Sequence, residues 1–487
     1  MARFIHPDRD QMLMLPVNME QLVDENHLAR NIWRILKELD LSQFENDYQN
    51  DQRGALAFCP INLIAIIIYA YSTGIRSCRE MERRCQEDLA YMYLAEMQTP
   101  DHTTLSNFRC QHDTAIEDIF SQTVFMGVES ELIDFDHIAN DGSKIKGAGS
   151  RNQIIPGEKL ESKIEKCEKL VRKIMEEGRN ADRMDEKASL QKKEARIKRT
   201  MEKLGQAKEL FEKAKCGDKK KDKKLRYHLT EDDARLIKDG QGFISGYNCQ
   251  ASVDSKSQMV LDCRVVQDEN DSQQGVVVRD RLIERFGIER LSGATLSFDN
   301  GYQNKKLCVL DGKDDIEILV SQAQEGDQIS QEKKTTKHYH YDQTKDEFTC
   351  QANRKLTYNR LREFPDGRIY RAYRTNGCTN CAENKNCFKE TAKNKRFKEI
   401  LVKEEDLDCT ESYYKYREKM NDPAVKMRYK KRMATVEPVF GHITSHRKAD
   451  RFMVWGKVKA NTEFTLMCLV HNVLKLARYS NIVGVAA

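Results

Sequence analysis

Three carboxylates stand where divalent-metal chemistry would need them. Asp141 follows the strand-like stretch LIDFDHIAN, Asp299 lies in SFDNGY after LSGATLSF, and Glu437 lies in the helical text TVEPVFGHI. Acids at the ends of adjacent strands, joined by one from a helix packed across them, can share two divalent cations about 3.5 to 4 Å apart. Such a pair clamps both the attacking and the leaving oxygen of a phosphodiester. Each position also has a plainer reading. Asp141-Gly142 and Asp299-Asn300-Gly301 are turn formers, and Glu437 precedes a proline at which a surface helix would kink. From Lys426 to Lys459 there are ten Lys/Arg against two acids, Glu437 and Asp450. One carboxylate among cations suits a site that a phosphate backbone must approach; the alternative is a solvated basic helix.

A second constellation is sulfur. Cys378, Cys381 and Cys387 fall in CTNCAENKNC, and Cys350 lies 28 residues before the first of them, at the end of YHYDQTKDEFTC. Four thiolates can close a tetrahedral structural zinc site, and a segment of low apolar content needs such a staple. His338 and His340 are substitutes for Cys350. Most of the fifteen cysteines are scattered singly through helical or strand-like text. They read as reduced thiols of a cytosolic protein rather than a disulfide framework.

The elements that must position these groups are legible in outline. A chain of 487 residues makes two to four modules. With 39% hydrophobic and 33% charged residues, some long stretch must be solvated. Lys+Arg number 82 against 77 Asp+Glu, so net charge does not itself argue for nucleic acid. Residues 1–125 read as helical: Met19 to Leu41, Pro60 to Thr73, Arg79 to Tyr91 with a Ser77/Glu80 capping box, and a helix after Pro100-Asp101-His102. Tight turns between short helices are compatible with helix-turn-helix DNA binding. The insert from Glu158 to Arg226 carries 24 Lys/Arg against 15 Asp/Glu. Leu160, Ile164, Cys167, Val171 and Ile174 keep a 4-3-4-3 spacing, resumed by Ile197, Met201, Leu204 and Phe211 after a break near Gly178-Arg179-Asn180. That predicts an antiparallel helical hairpin, a solvated arm more than a DNA-gripping surface, with the run Lys219 to Lys224 as its most basic part. Strands are expected at Gly246 to Val253, Met259 to Val266, Leu291 to Phe298 and Ile316 to Ser321, with a helix from Ser272 to Phe286. Together they argue for a mixed α/β sheet. Helices return from about Ser412 through Glu437 and from Lys457 to Arg478. The most apolar run, Ile61 to Tyr71, is half the length a membrane span needs. The N-terminus lacks a signal-peptide pattern, and nothing resembles a phosphate-binding P-loop.

Taken together these residues resemble a known family, the bacterial insertion-sequence transposases of the DDE type. The resemblance covers nearly the whole chain. GIRSCREMERRCQEDLAYMYL with PDHTTLSNFR resembles their helical N-terminal domain, ANDGSKIK the strand of the first Asp, DDARLIKDGQGFISGYNCQASVD the next strand, LSFDNGY the strand of the second Asp, and TVEPVFGHI the Glu helix. A charged hairpin after the first Asp and a four-cysteine insertion occur in one branch of the family. The resemblance implies an RNase H-like catalytic core (126–155, 229–321, 408–487) interrupted by the hairpin (156–228) and by a zinc-ribbon-like insertion (322–407), after a DNA-binding domain (1–125). It implies that Asp141, Asp299 and Glu437 hold two Mg or Mn ions and that structural zinc sits on Cys350, Cys378, Cys381 and Cys387. Tyr429, Lys430, Lys431, Arg432, Arg447, Lys448 and Arg451 would meet DNA. The partners implied are double-stranded DNA, as terminal inverted repeats and target, and further copies of the chain, in the prokaryotic cytoplasm at the nucleoid. Of the related signature Tyr-x-x-Arg-x3-Glu-x6-Lys, Tyr429 and Arg432 fit. Glu437 is one residue late, and Thr444 stands where the Lys belongs, with Arg447 and Lys448 a helical turn later. Use of a DNA hairpin intermediate is therefore left open. The rival readings are a transposase-derived DNA-binding protein without catalysis, a Mg-dependent nuclease without strand transfer, and a coiled-coil scaffold.

Overall fold

The computed structural model describes residues 18–46, 57–180, 184–215, 225–239, 242–321, 339–350, 352–364, 369–388, 396–403, 407 and 410–483. His338 and the Lys219 to Lys224 run lie outside them. The chain divides into two compact units, Met1–Thr123 with Leu466–Ala487, and Val124–Thr465.

The described residues of the first unit are helical. Pro60–Ser72 opens with proline at its first turn and is buried from Asn62 to Tyr71, because INLIAIIIYAY is apolar on every face. The helix expected from Met19 to Leu41 is broken instead. Val23-Asp24-Glu25-Asn26 forms a polar turn in which Asp24 accepts the Asn26 N–H at 2.8 Å, and a new helix, Leu28–Lys37, starts under a His27 cap. The Ser77/Glu80 capping box is not made. Ser77 gives no side-chain cap, Glu80 pairs with Arg83 and Arg84, and the helix stops at Glu87, where Asp88 caps the next one. Asp101 caps His102–Gln111 through the N–H groups of Thr103 and Thr104.

The second unit is mixed α/β. Its main sheet contains β1 (His137–Lys146), β4 (Arg235–Asp239), β5 (Gly242–Asp254), β6 (Val260–Val266), β7 (Thr295–Phe298) and β8 (Glu317–Val320), ordered β4-β5-β1-β7-β8 with β6 also on β5. β1 is antiparallel to β5 and parallel to β7. The sequence places the first strand at Leu132 to Asn140 with a turn at Asp141. The strand instead begins at His137 and runs through Asp141-Gly142-Ser143, since β5 continues alongside and takes its hydrogen bonds.

Between β1 and β5 the chain leaves through a two-stranded ribbon, β2 (Ile154–Pro156) on β3 (Arg226–His228). Beyond it lie the helices Leu160–Asn180 and Met184–Ala214. Leu160 packs with Leu204, Ala207 and Phe211, and Glu161 pairs with Lys208 at 2.7 Å. The start of one helix thus meets the end of the other, the antiparallel hairpin expected from the heptads.

The cysteine segment holds more structure than its composition suggests. β9 (Tyr339–Asp342), β10 (Glu347–Cys350), β11 (Lys355–Glu363), β12 (Ile369–Asn376) and β13 (Phe397–Lys403) form an antiparallel meander. It encloses an aromatic core of Tyr339, Tyr341, Phe348 and Tyr373. Asp346 ties this core together, accepting from Tyr341 at 2.8 Å, Tyr373 at 2.6 Å and Arg371 at 2.9 Å. The segment expected to have little apolar content thus holds a core of its own. Its apolar residues are aromatics alternating with charges, a pattern that bulk composition hides.

Candidate active site

The parallel register of β1 and β7 sets the centre. Asn140 stands opposite Phe298, so Asp141 and Asp299 follow side by side where β7 ends and β1 continues on β5 alone. Asp299 caps a short turn, accepting the Gly301 N–H at 2.8 Å. Tyr302 then points inward, fully buried, and its hydroxyl donates to Gln250. The turn-former reading thus fails for Asp141 and holds for Asp299.

The helix Pro423–Gly441 supplies a cation to this centre. Arg432, only 5% exposed, places Nη2 2.9 Å from Asp141 Oδ1 and donates from Nε to the Asn140 carbonyl at 3.2 Å. Burial pushes the Asp141 carboxyl up to about 6 and the Arg432 guanidinium opposes it, while Asp299 and Asp271 add to the rise. Desolvation and like charge together outweigh the ion pair. Arg432→Ala is therefore expected to lower stability by about 2 to 3 kcal/mol, a buried-pair loss discounted for the partial exposure of Asp141. Arg432→Lys should not restore it, because one ammonium cannot serve both acceptors in the guanidinium geometry. Denaturant unfolding measures this, and wild-type stability in Arg432→Ala would show that the pair contributes nothing.

The other expected site residues divide. Tyr429 is half-buried one turn before Arg432, and burial raises its phenol. Lys430, Lys431, Lys448 and Arg451 are exposed, and Arg447 is half-buried. Glu437 is exposed, while Val436 is buried. Five residues on from Arg432, Glu437 lies roughly 140° around the helix from it. Among the described residues no three His, Cys, Asp or Glu side chains stand together as a metal ion requires. The geometry brings together Asp141, Asp299, Arg432 and Tyr429, and leaves Glu437 outside that group.

Cys350 ends β10, Cys378 and Cys381 lie in and after a tight turn begun by Gly377, and Cys387 ends a helical turn. All four line one pocket together with Arg354 and Lys398. Burial raises the thiols of Cys378 and Cys387. His340 is exposed on β9 and does not line this pocket, whereas Cys350 does.

Two families match the chain: a transposase domain (DUF772) over residues 17–111 and a transposase DDE domain over residues 349–477. Both matches indicate an insertion-sequence DDE transposase. No curated protein and no solved structure matches this transposase. The DDE match includes the four cysteines, Arg432 and Glu437, and leaves Asp141 and Asp299 outside it. DDE transposases act on DNA and generally use divalent metal ions. No described helix of the transposase is long and apolar enough to cross a membrane.

Sequence reasoning missed a group beside the two aspartates. Asp271 accepts hydrogen bonds from Asn248 and Gln250, both at 2.7 Å, and lies 3.2 Å from the Lys144 ammonium. Asn248 and Gln250 are buried. Two amides two residues apart on an otherwise apolar strand, GYNCQASV, were the available signal, since buried amides demand partners.

Proposed function

We propose that the six-stranded sheet is an RNase H-like core, and that the transposase cuts the ends of its insertion sequence and joins the freed 3′-hydroxyl to target DNA. The juxtaposition of Asp141 and Asp299, from strands far apart in sequence, carries this reading. Two hard oxygen donors side by side, with the charge of Asp299 adding to the rise of the Asp141 carboxyl, fit a divalent cation, Mg or Mn. Glu437 is assigned as the third acid on the family resemblance. When bound, two such cations would lower the pKa of the attacking water and stabilise the leaving 3′ oxygen.

The chain's own residues have the remaining roles. Arg432 orients Asp141 through the ion pair and steadies β1 through the Asn140 carbonyl. The cations Lys430, Lys431, Arg447, Lys448 and Arg451, with Tyr429, are assigned to the phosphate backbone. One phosphodiester is exchanged for another, so no covalent enzyme intermediate or external energy source is needed. Residues 1–125 are assigned to recognition of the element ends. The insertions 156–228 and 322–407 are assigned to an arm and to a zinc-bearing module on Cys350, Cys378, Cys381 and Cys387, which offer four soft sulfur donors around one pocket. Holding two ends at once requires at least two copies of the chain.

The test is the product spectrum of the full-length protein with Mg or Mn and DNA spanning its own gene's flanks. Element ends joined to target DNA are expected. Free ends alone would mean a nuclease without strand transfer, and binding without cleavage would mean a non-catalytic descendant.

A further inference from the structure

Asp271 comes from the loop between β6 and the helix Gln274–Phe286, and that loop is anchored at several points. Asn248 donates to the Asp268 carbonyl at 3.2 Å, Gln274 donates to the Asp268 carboxylate, and Asn304 donates to the Ser272 carbonyl at 3.1 Å. The Asp271 carboxylate is used unevenly. Oδ1 accepts from both Asn248 and Gln250 and from Lys144, whereas Oδ2 has Lys144 as its hydrogen-bond donor. A Cβ built on Gly301 would stand 3.0 Å from Asp299 Oδ1 and 3.5 Å from Asp271 Oδ2, so the two carboxylates flank one point. On the other side, a Cβ on Gly142, the neighbour of Asp141, would come within 2.6 Å of Asp271 Oδ1. The absence of side chains at Gly142 and Gly301 is what lets a third carboxylate approach the pair. Lys144 and Asp271 are both largely covered, with 14% and 15% of their side chains exposed, so the charge is screened by Lys144 more than by water.

We propose that Asp271 is a positioning residue of the catalytic centre: its carboxylate, held by Asn248 and Gln250, adds negative charge beside Asp141 and Asp299 that strengthens their hold on a divalent cation, and Lys144 sets how much of that charge is felt. This rests on the metal-centred reading above.

The sign of two substitutions separates this role from simple packing. Asp271→Asn keeps the shape and an acceptor for the amides but removes the charge. Lys144→Met keeps the stem and removes the opposing cation. Mn2+ binding to the full-length protein without DNA, followed by electron paramagnetic resonance of the free ion, gives the dissociation constant. Asp271→Asn is expected to weaken Mn2+ binding about tenfold and Lys144→Met to tighten it about threefold. A merely structural network would be loosened by either change, so weakening in both variants, or an unchanged constant in Asp271→Asn, overturns the proposal. If Asp271→Asn does not fold, the direction of the Lys144→Met change decides alone: tightening supports the proposal, and weakening or no change overturns it. Asp299→Asn is the control. If it binds Mn2+ as wild type does, or if wild type binds none, the metal-centred reading fails and this proposal with it. If only Asp271→Asn is silent, that reading stands and the role of Asp271 falls.

Discussion

Asp299→Asn in the full-length chain is expected to abolish cleavage of the element ends, slowing it by at least about 10³-fold, with folding and DNA binding retained. The amide keeps the side-chain oxygen that caps the Gly301 N–H, so the turn at Asn300–Tyr302 should survive. What disappears is one of the two negative charges where β7 ends beside β1, and with it much of the affinity for a divalent cation. Labelled DNA carrying the ends, incubated with Mg2+ or Mn2+, gives the rate. A mobility shift and a melting curve on the same protein show that it is folded and bound. Wild-type cleavage by this variant would remove Asp299 from the reacting centre. Glu437→Gln belongs in the same experiment, because Glu437 is exposed and stands apart from Arg432 around its helix. An equal loss is expected from it. Full activity would mean that Asp141 and Asp299 work with a different third acid, and Asp271 is the one placed beside them.

The second large effect concerns sulfur. The purified protein is expected to contain about one equivalent of zinc, and Cys378→Ser with Cys381→Ser should lose it. Zinc bound by four thiolates contributes several kcal/mol to the structure it closes. That stabilisation should be local, because the meander has an aromatic core of Tyr341, Phe348 and Tyr373, against which Cys350 packs. Chelation should therefore speed amide exchange around Cys378–Cys387 by several orders of magnitude while the main sheet stays protected. Burial, with the neighbouring cysteines, raises the thiols of Cys378 and Cys387 and favours their neutral form, and a bound zinc would reverse that preference. Absence of zinc, with exchange unaffected by chelator, would sink the assignment.

Much of this arrangement was legible because periodicity reports burial. The heptads of the arm, the apolar helix Pro60–Ser72 and the runs that became β5 and β6 all announce which face is covered. Asp141 was harder to place. Asp-Gly reads as a turn in one dimension, and only the partner strand β5, recruited from more than a hundred residues away, keeps it extended. The break at Asp24–Asn26 was hidden for a related reason: helical spacing continues across it, while local side-chain bonds to the backbone decide against the helix. Asp271 gave no sign in its own neighbourhood, Asn270-Asp271-Ser272, which is ordinary text for the start of a helix. Its partners Lys144, Asn248 and Gln250 come from two other strands, and only assembly of the sheet reveals why those polar residues are there.

The ribbon at the root of the hairpin arm separates two histories in one chain. Ile154 pairs with His228 and Pro156 with Arg226, so the chain departs and returns at neighbouring points whatever lies between. To the sheet that holds Asp141, the residues beyond that gate amount to a single short loop, because closure costs grow only slowly with the length enclosed. Such a gate lets an appendage lengthen, shrink or be exchanged during descent without disturbing the alignment of β1 with β7. The alignment that sets Asp141 beside Asp299 and the arm can therefore change independently of one another.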